Sequence, residues 1–169
     1  MAGDDVELTT ERLLVRRLRP EDAAVVAAYR SDPEVARWQG WTVPYAEEAA
    51  RFLIAEVADQ PIGALGWAQL GIELRATGEL LGDVAVHGVD DHTVEVGYTL
   101  ARSHWGHGYA TEAVGAMVDL LLGTLAFPAV HAEVAPENAP SIALLDRLGF
   151  TLDATLDDGF LRYRCGRSA

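Results

Sequence analysis

Apolar residues recur at every second position in three successive segments, Gly63 to Leu74, Glu79 to His87 and Thr93 to Leu100, and this period predicts three strands. Thr77-Gly78 and Asp90-Asp91 supply turns between them, so the three are expected to form an antiparallel meander. Ahead of the meander, Leu13 to Leu18 reads as a first strand. Pro20 then opens a helix with Asp22 in its first turn and Ala23, Ala24, Ala27 and Ala28 as its small-residue face. Ser31-Asp32-Pro33 reads as a turn, and Trp38-Gln39-Gly40-Trp41 as an aromatic loop. A second helix is expected from about Pro44 to Ala58, with Ala49, Phe52, Leu53 and Val57 at helical spacing. After the meander, Tyr109 to Leu122 predicts a strong helix whose apolar face is Ala110, Ala113, Val114, Met117, Val118 and Leu121. Ala129 to Val134 reads as a strand and Pro140 to Leu148 as a helix, with Gly149 in the left-handed position past its end. Phe150 to Leu156 and Gly159 to Arg164 complete a last strand pair.

The predicted order is β, α, α, β, β, β, α, β, α, β, β. Strands on both sides of a central helix, with few βαβ repeats, point to an α+β fold with a mixed, mostly antiparallel sheet and about four helices. The 169 residues suit one domain spanning 1–169. The net charge of −13 excludes nonspecific nucleic-acid binding, which needs a basic surface. It fits a cationic partner, and equally fits acidity that serves solubility alone. Cys165 is the single cysteine, so no internal disulfide forms and a reducing compartment is expected. Met1 to Thr10 lacks the pattern of a signal peptide. The longest apolar stretch, Ala113 to Phe127, is interrupted by Gly115, Asp119 and Gly123, so no membrane span is expected. The reading is a cytoplasmic protein.

The segment Trp105-Gly106-His107-Gly108-Tyr109-Ala110-Thr111-Glu112 joins the third meander strand to the strong helix. Two glycines permit a tight turn and close approach of a ligand, and the helix start offers unpaired N–H groups with the positive end of the helix dipole. That combination binds pyrophosphate. A tight loop that binds nothing remains an alternative. A dinucleotide fold would need a third glycine where Thr111 stands, together with successive βαβ units. His104 and His107 are spaced like a metal pair, but nothing nearby completes a ligand set, so no metal is expected.

Four strings, in order, carry a resemblance. They are Val94-Glu95-Val96-Gly97-Tyr98-Thr99-Leu100, the glycine turn through Ala113, Glu137-Asn138-Ala139-Pro140-Ser141, and Leu148-Gly149-Phe150. Together they resemble the GNAT superfamily of N-acetyltransferases. The opening Thr10-Glu11-Arg12-Leu13-Leu14-Val15-Arg16, followed by Pro20-Glu21-Asp22-Ala23, is similar to the Rim-type ribosomal-protein N-terminal acetyltransferases within it. The resemblance implies acetyl-CoA as acyl donor. Its phosphates would lie on Trp105, Gly106, His107, Gly108, Tyr109, Ala110 and Thr111, and its pantetheine arm along Tyr98, Thr99 and Leu100, in a gap between this strand and the strand at Ala129 to Val134. Trp105 stands where the superfamily usually has Gln or Arg.

The chemistry is attack of a neutral amine on a thioester, and an α-amino group titrates near pH 8, so a base has a modest task. Glu95 is the candidate base, through water; an exposed strand glutamate is its plainer reading. Backbone N–H groups near Tyr98 to Leu100 are the candidate oxyanion donors. The tyrosine acid of many family members falls on Leu145, so Ser141 is its candidate substitute, or merely a first-turn serine. Asn138 contacts the cofactor arm, or caps a helix. Trp38, Trp41 and Tyr45 are candidate acceptor-site aromatics, or core anchors. The acceptor is expected to be a protein N-terminus or a small cationic amine, and the chain a monomer or homodimer. A noncatalytic acyl-CoA-binding module is the rival from another class.

Overall fold

The computed structural model describes residues 6–166. Its strands are β1 (Leu8–Thr9), β2 (Leu13–Arg17), β3 (Gly66–Leu74), β4 (Leu80–Gly88), β5 (Val94–Leu100), β6 (Ala129–Val134), β7 (Thr151–Thr155) and β8 (Leu161–Gly166). The helices are α1 (Ala23–Arg30), α2 (Pro33–Ala36), α3 (Glu47–Val57), α4 (Tyr109–Asp119) and α5 (Ala139–Arg147). One sheet holds all eight strands in the order β1-β2-β3-β4-β5-β6-β8-β7. Every neighbouring pair is antiparallel except β5–β6. The α+β class and the meander therefore stand as the pattern predicts.

Alternation along β4 and β5 sets what each face of the sheet meets. Val84, Val86, Val94, Val96 and Leu100 share one core with Ala113, Val114, Met117, Val118 and Leu121 of α4. Each fully buried side chain of this size contributes about 1.5–3 kcal/mol relative to exposure. The opposite face, bearing Asp83, Ala85, Glu95, Gly97 and Thr99, looks toward α1 and α3. Those helices have their own smaller core of Val26, Ala27, Tyr29, Ala50 and Ile54. The buried Arg16 steadies the approach to α1, reaching Asp22 at 2.8 Å and Glu73 at 2.6 Å.

The relation that shapes the site lies between β5 and β6. These strands pair in parallel only at Val94↔Val130 and Glu95↔His131. Beyond Glu95 they diverge, and the edge of β5 from Gly97 to Leu100 lacks a strand partner on that side. The gap that the resemblance implied is present in the backbone.

Several boundaries differ from the sequence pattern. The short β1 is additional, held by pairing Leu8↔Val15 and Thr9↔Leu14. Ser31-Asp32-Pro33 is the start of α2 rather than a plain turn, because the Asp32 side chain accepts from Glu34 N–H and Pro33 occupies the first helical position. Among the described residues this short helix is a fifth beside the about four expected. In α1, Val26, Ala27, Tyr29 and Arg30 turn inward, while Ala24 and Ala28 face solvent. The second helix of the reading begins at Glu47 rather than Pro44, and its buried residues are Ala50, Ile54 and Val57. Phe52, assigned to the inner face, is exposed. The strand expected from Gly63 begins at Gly66. The strong helix continues past Asp119 as a wider π-helical turn, Leu120–Thr124, closed by Phe127 N–H donating to Leu121 C=O at 2.9 Å.

Candidate active site

The turn before α4 is built by its glycines. Gly106 and Gly108 both lie at φ 78°, a left-handed conformation that costs an L-residue roughly 1–2 kcal/mol. Gly108 is the residue preceding α4, and no side chain caps that helix start. The first N–H groups of α4 are therefore free for an anion, which the dipole favours. Trp105 anchors the turn to the strand before it, its indole N–H donating to Leu100 C=O at 3.0 Å. A tryptophan at this position thus has a structural use that needs no contact with phosphate.

The opening hairpin clamps the same turn from outside. Glu112 accepts from the Thr10 hydroxyl at 2.6 Å, from Arg12 N–H at 2.8 Å and from Arg12 Nε at 2.7 Å. Arg12 Nη1 donates to His107 C=O at 2.8 Å, and its guanidinium lies 4.5 Å from the centre of the Tyr109 ring. A Cβ at Gly108 would stand 3.4 Å from Arg12 Nη2. Partial burial opposes ionisation of Glu112, but the bonds from Thr10 and Arg12 outweigh it and hold the carboxyl below its ordinary value. Residues 10 and 12 were legible only as part of a family-like opening; their contact with a helix about a hundred residues away had no local signal.

A cleft of about 710 Å³ runs from this turn into the gap between β5 and α5. Tyr98, Thr99, Leu100, Trp105, Gly106, Gly108, Ala110, Thr111, Asn138 and Ser141 line it, together with Trp38 from the loop after α2. His107 and Tyr109 are not part of its wall; their rings stack on each other at 5.6 Å. Arg37 and Arg147, which no pattern singled out, add two cations to the lining, and Glu34 and Glu137 add two acids. Across the cleft the Tyr98 and Ser141 hydroxyls lie 2.6 Å apart. Burial raises the Tyr98 phenol above its ordinary value, with the bond to Ser141 a smaller, opposing influence. Asn138 caps α5, accepting from Ser141 N–H at 3.4 Å, and so also fixes the backbone of Ser141.

A second hollow of about 660 Å³ opens on the other face of the sheet and meets the first at Gln39, Tyr98 and Thr99. Trp41, Leu53, Val57, Trp67 and Ala85 give it apolar walls, and Arg30, Glu56, Gln69 and Asp83 its polar ones. Trp41 therefore belongs here, whereas Trp38 lies on the first cleft. Tyr45 lines neither; it packs edge-on against Trp41 at 6.1 Å and beside Arg30. Under this hollow the buried Asp83 accepts from the Tyr29 hydroxyl and from Gln69 Nε2 at 2.8 Å, with Arg30 at 3.5 Å. Burial and the Asp83 charge push the Tyr29 phenol well up. Glu95 sits one cross-strand row beyond Ala85 and Gly97, on the same face, about a quarter exposed, with Oε2 3.3 Å from His87 Nδ1.

The splayed pair β5–β6, a glycine turn feeding a bare helix start, and a hydroxyl pair facing them lie together along one cleft, the layout of an acyltransferase. The chain belongs to the GNAT acetyltransferase family: the family model for the acetyltransferase (GNAT) domain matches residues 12–151. It is 37% identical to the uncharacterized N-acetyltransferase p20 of Bacillus licheniformis, over 89% of this chain and 85% of that one. An acetyltransferase from Agrobacterium tumefaciens shares its fold with a TM-score of 0.81 at 29% identity, covering 99% and 98% of the two chains. RimJ of Mycobacterium smegmatis, solved in complex with CoA-disulfide, superposes with a TM-score of 0.84 at 23% identity, over 97% of this chain and 88% of that one. The protein is an N-acetyltransferase.

Proposed function

We propose that this enzyme moves the acetyl group of acetyl-CoA directly to the α-amino group of a protein N-terminus. The observation that carries the reading is the continuity of the two hollows at Tyr98 and Thr99. A thioester lying along the free edge of β5 would have its carbonyl reachable from the opposite face of the sheet. The pyrophosphate would rest on Gly106, Gly108, Ala110 and Thr111, at the bare start of α4. The pantetheine amides would add to the β5 edge in the manner of an extra strand. Glu95 takes the amine proton through water, and Ser141, bonded to Tyr98, gives a proton to the thiolate of CoA and regains one from water. No covalent enzyme intermediate is required, because nucleophile and donor meet from opposite sides.

A protein N-terminus is favoured by the Rim-like opening of the chain, which the structure uses to brace the donor turn, and by the breadth of the second hollow, which exceeds what an amine alone would fill. A small cationic amine (polyamine, amino acid or aminoglycoside) is the alternative, and the net charge of −13 serves either. Turnover of acetyl-CoA against short peptides with free Ala or Ser N-termini, and against that panel of small amines, decides between them. Peptide acetylation at kcat/KM at least about tenfold above every small amine is expected; the reverse order would overturn the acceptor assignment.

A further inference from the structure

The sheet face that looks toward α1 and α3 carries a cross-strand row of which the acetyl-transfer scheme uses only Glu95. Trp67, His87, Glu95, His131 and Arg164 stand directly opposite one another on β3, β4, β5, β6 and β8. The row is ordered at its first three members. Trp67 and His87 stack with ring centres 4.4 Å apart and planes within 9°. This fixes the plane of the imidazole and aims Nδ1 at Glu95 Oε2, 3.3 Å away. His87 remains about a third exposed, so its ring communicates with solvent on one side and with Glu95 on the other. Directly opposed cross-strand residues sit about 4.5–5.5 Å apart at Cβ, which suits a hydrogen bond between side chains of this length.

We propose that His87 is the positioning residue of Glu95, fixing its carboxylate one row beyond Ala85, outside the wall of the second hollow, and carrying its proton to solvent. This rests on the reading of Glu95 as the base. In each turnover the amine nitrogen bonds to the thioester carbonyl carbon, the C–S bond breaks with its electron pair on sulfur, and one N–H proton must leave. Glu95 receives that proton through water, the Nε2–H tautomer of His87 accepts it at Nδ1, the imidazolium holds the regenerated carboxylate through its Nδ1–H, and one proton then leaves to the buffer with return to the starting tautomer through water. Neutral imidazole and carboxylate are then restored. A histidine is suited to this relay because its unperturbed titration lies between pH 5 and 8.

The groups facing this pair from neighbouring strands are His131 and Glu133 on β6, Arg162 and Arg164 on β8 and Asp153 on β7. Glu133 is held above its ordinary value by partial burial, then by the Glu95 charge, so the patch contains acids in competition for protons. His131 is depressed by burial and by Arg162.

The test compares native enzyme with E95Q, H87N and H87A, using saturating acetyl-CoA and a primary amine the enzyme accepts, with circular dichroism to verify folding. His87→Asn keeps a donor toward Glu95 but carries no proton. Its kcat is expected to fall about tenfold, less than the roughly hundredfold or more of losing the base itself because water can still carry the proton away, with both KM values within about twofold of native. His87→Ala is expected to lose more and to regain several-fold activity with added imidazole. Glu95→Gln is expected to lose at least about a hundredfold. Native kcat in both His87 variants beside an inactive E95Q overturns the His87 proposal and leaves Glu95 standing. A loss in H87A that imidazole does not reverse overturns the relay. Native activity in E95Q removes the base reading and this proposal together.

Discussion

The phenol of Tyr98 and the hydroxyl of Ser141 meet at 2.6 Å across the cleft, joining β5 to the first turn of α5. Two hydroxyls at this distance share one proton between them, so one always keeps a free hydrogen to offer. Burial raises the Tyr98 phenol, and Ser141 opposes this only in part, so Tyr98 stays protonated throughout the neutral range. Ser141→Ala is expected to lower kcat by about a hundredfold, with KM for acetyl-CoA nearly unchanged, because the lost proton donation matters only as the thiolate leaves. Tyr98→Phe should have a smaller effect, about tenfold, and leave the basic limb of the pH–rate profile where it is in the native enzyme. A basic limb that shifts in Tyr98→Phe would make Tyr98 itself the titrating acid.

Arg12 and Glu112 couple the first hairpin to the donor turn. Glu112 titrates below its ordinary value of 4.5 in the folded chain, so its contribution to stability is present above that pH and is lost as pH falls through the folded value. Glu112→Gln is therefore expected to lower stability at pH 7 and to show less further loss on acidification than the native chain does. The expected difference is on the order of 1 kcal/mol, discounted because Arg12 is substantially exposed. Urea midpoints at pH 7 and in the acid range, compared between the two proteins, check both the size and the sign. Arg12→Ala should in addition weaken acetyl-CoA binding, since His107 C=O and the Tyr109 ring lose their common support.

The legible parts of this chain were those whose signals are local. The expected apolar face of Ala110, Ala113, Val114, Met117, Val118 and Leu121 is the buried one, with Ala110 only partly covered and Leu121 just past the end of α4, because one helix buries one stripe against one sheet. The glycine turn was legible because left-handed backbone and helix start adjoin in sequence. Long-range pairs were not: Ser141 and Tyr98 lie 43 residues apart, and Arg12 and Glu112 lie 100 apart. In α3 only Val57 of the four expected residues is buried, since exposed Phe52 adds an outward apolar residue beside the true stripe of Ala50, Ile54 and Val57. Asp32-Pro33 failed for a different reason: the side-chain cap and fixed φ that make a turn also begin a helix.

Gly108 is the sharpest probe of the donor site. Its φ of 78° disfavours any side chain, and a Cβ there would also reach Arg12 Nη2. Gly108→Trp is expected to abolish calorimetric binding of acetyl-CoA that the native protein shows at micromolar concentration, while the bulk of the fold, whose core lies elsewhere, remains cooperative on melting. Gly106→Ala meets no neighbouring atom within 4 Å and should suffer backbone strain alone, a loss of about 1–2 kcal/mol in stability with weaker but measurable binding. Equal binding by Gly108→Trp and the native protein would mean that the phosphates rest elsewhere.

Asp83 lies beneath the second hollow, where the acceptor is proposed to enter. It is 1% exposed and is shared by Tyr29, Gln69 and Arg30, while Arg30 in turn lies 4.2 Å from the centre of the Trp41 ring. Among the described residues Arg30 Nε has no hydrogen-bond partner, so the guanidinium relies on Asp83 and on the π-faces of Trp41 and Tyr45 for its compensation. Removing the carboxylate would leave a buried cation without its counter-charge, a change that costs about 3–5 kcal/mol. Asp83→Ala is therefore expected to be the most destabilising of the substitutions considered, with a marked fall in Tm. Trp41→Leu should cost less in stability but release Arg30 toward the hollow, raising KM for the amine while leaving KM for acetyl-CoA unchanged. Parallel melting and steady-state kinetics separate the two effects; a Trp41→Leu enzyme with unchanged amine KM would show that Trp41 anchors the core and takes no part in shaping the acceptor site.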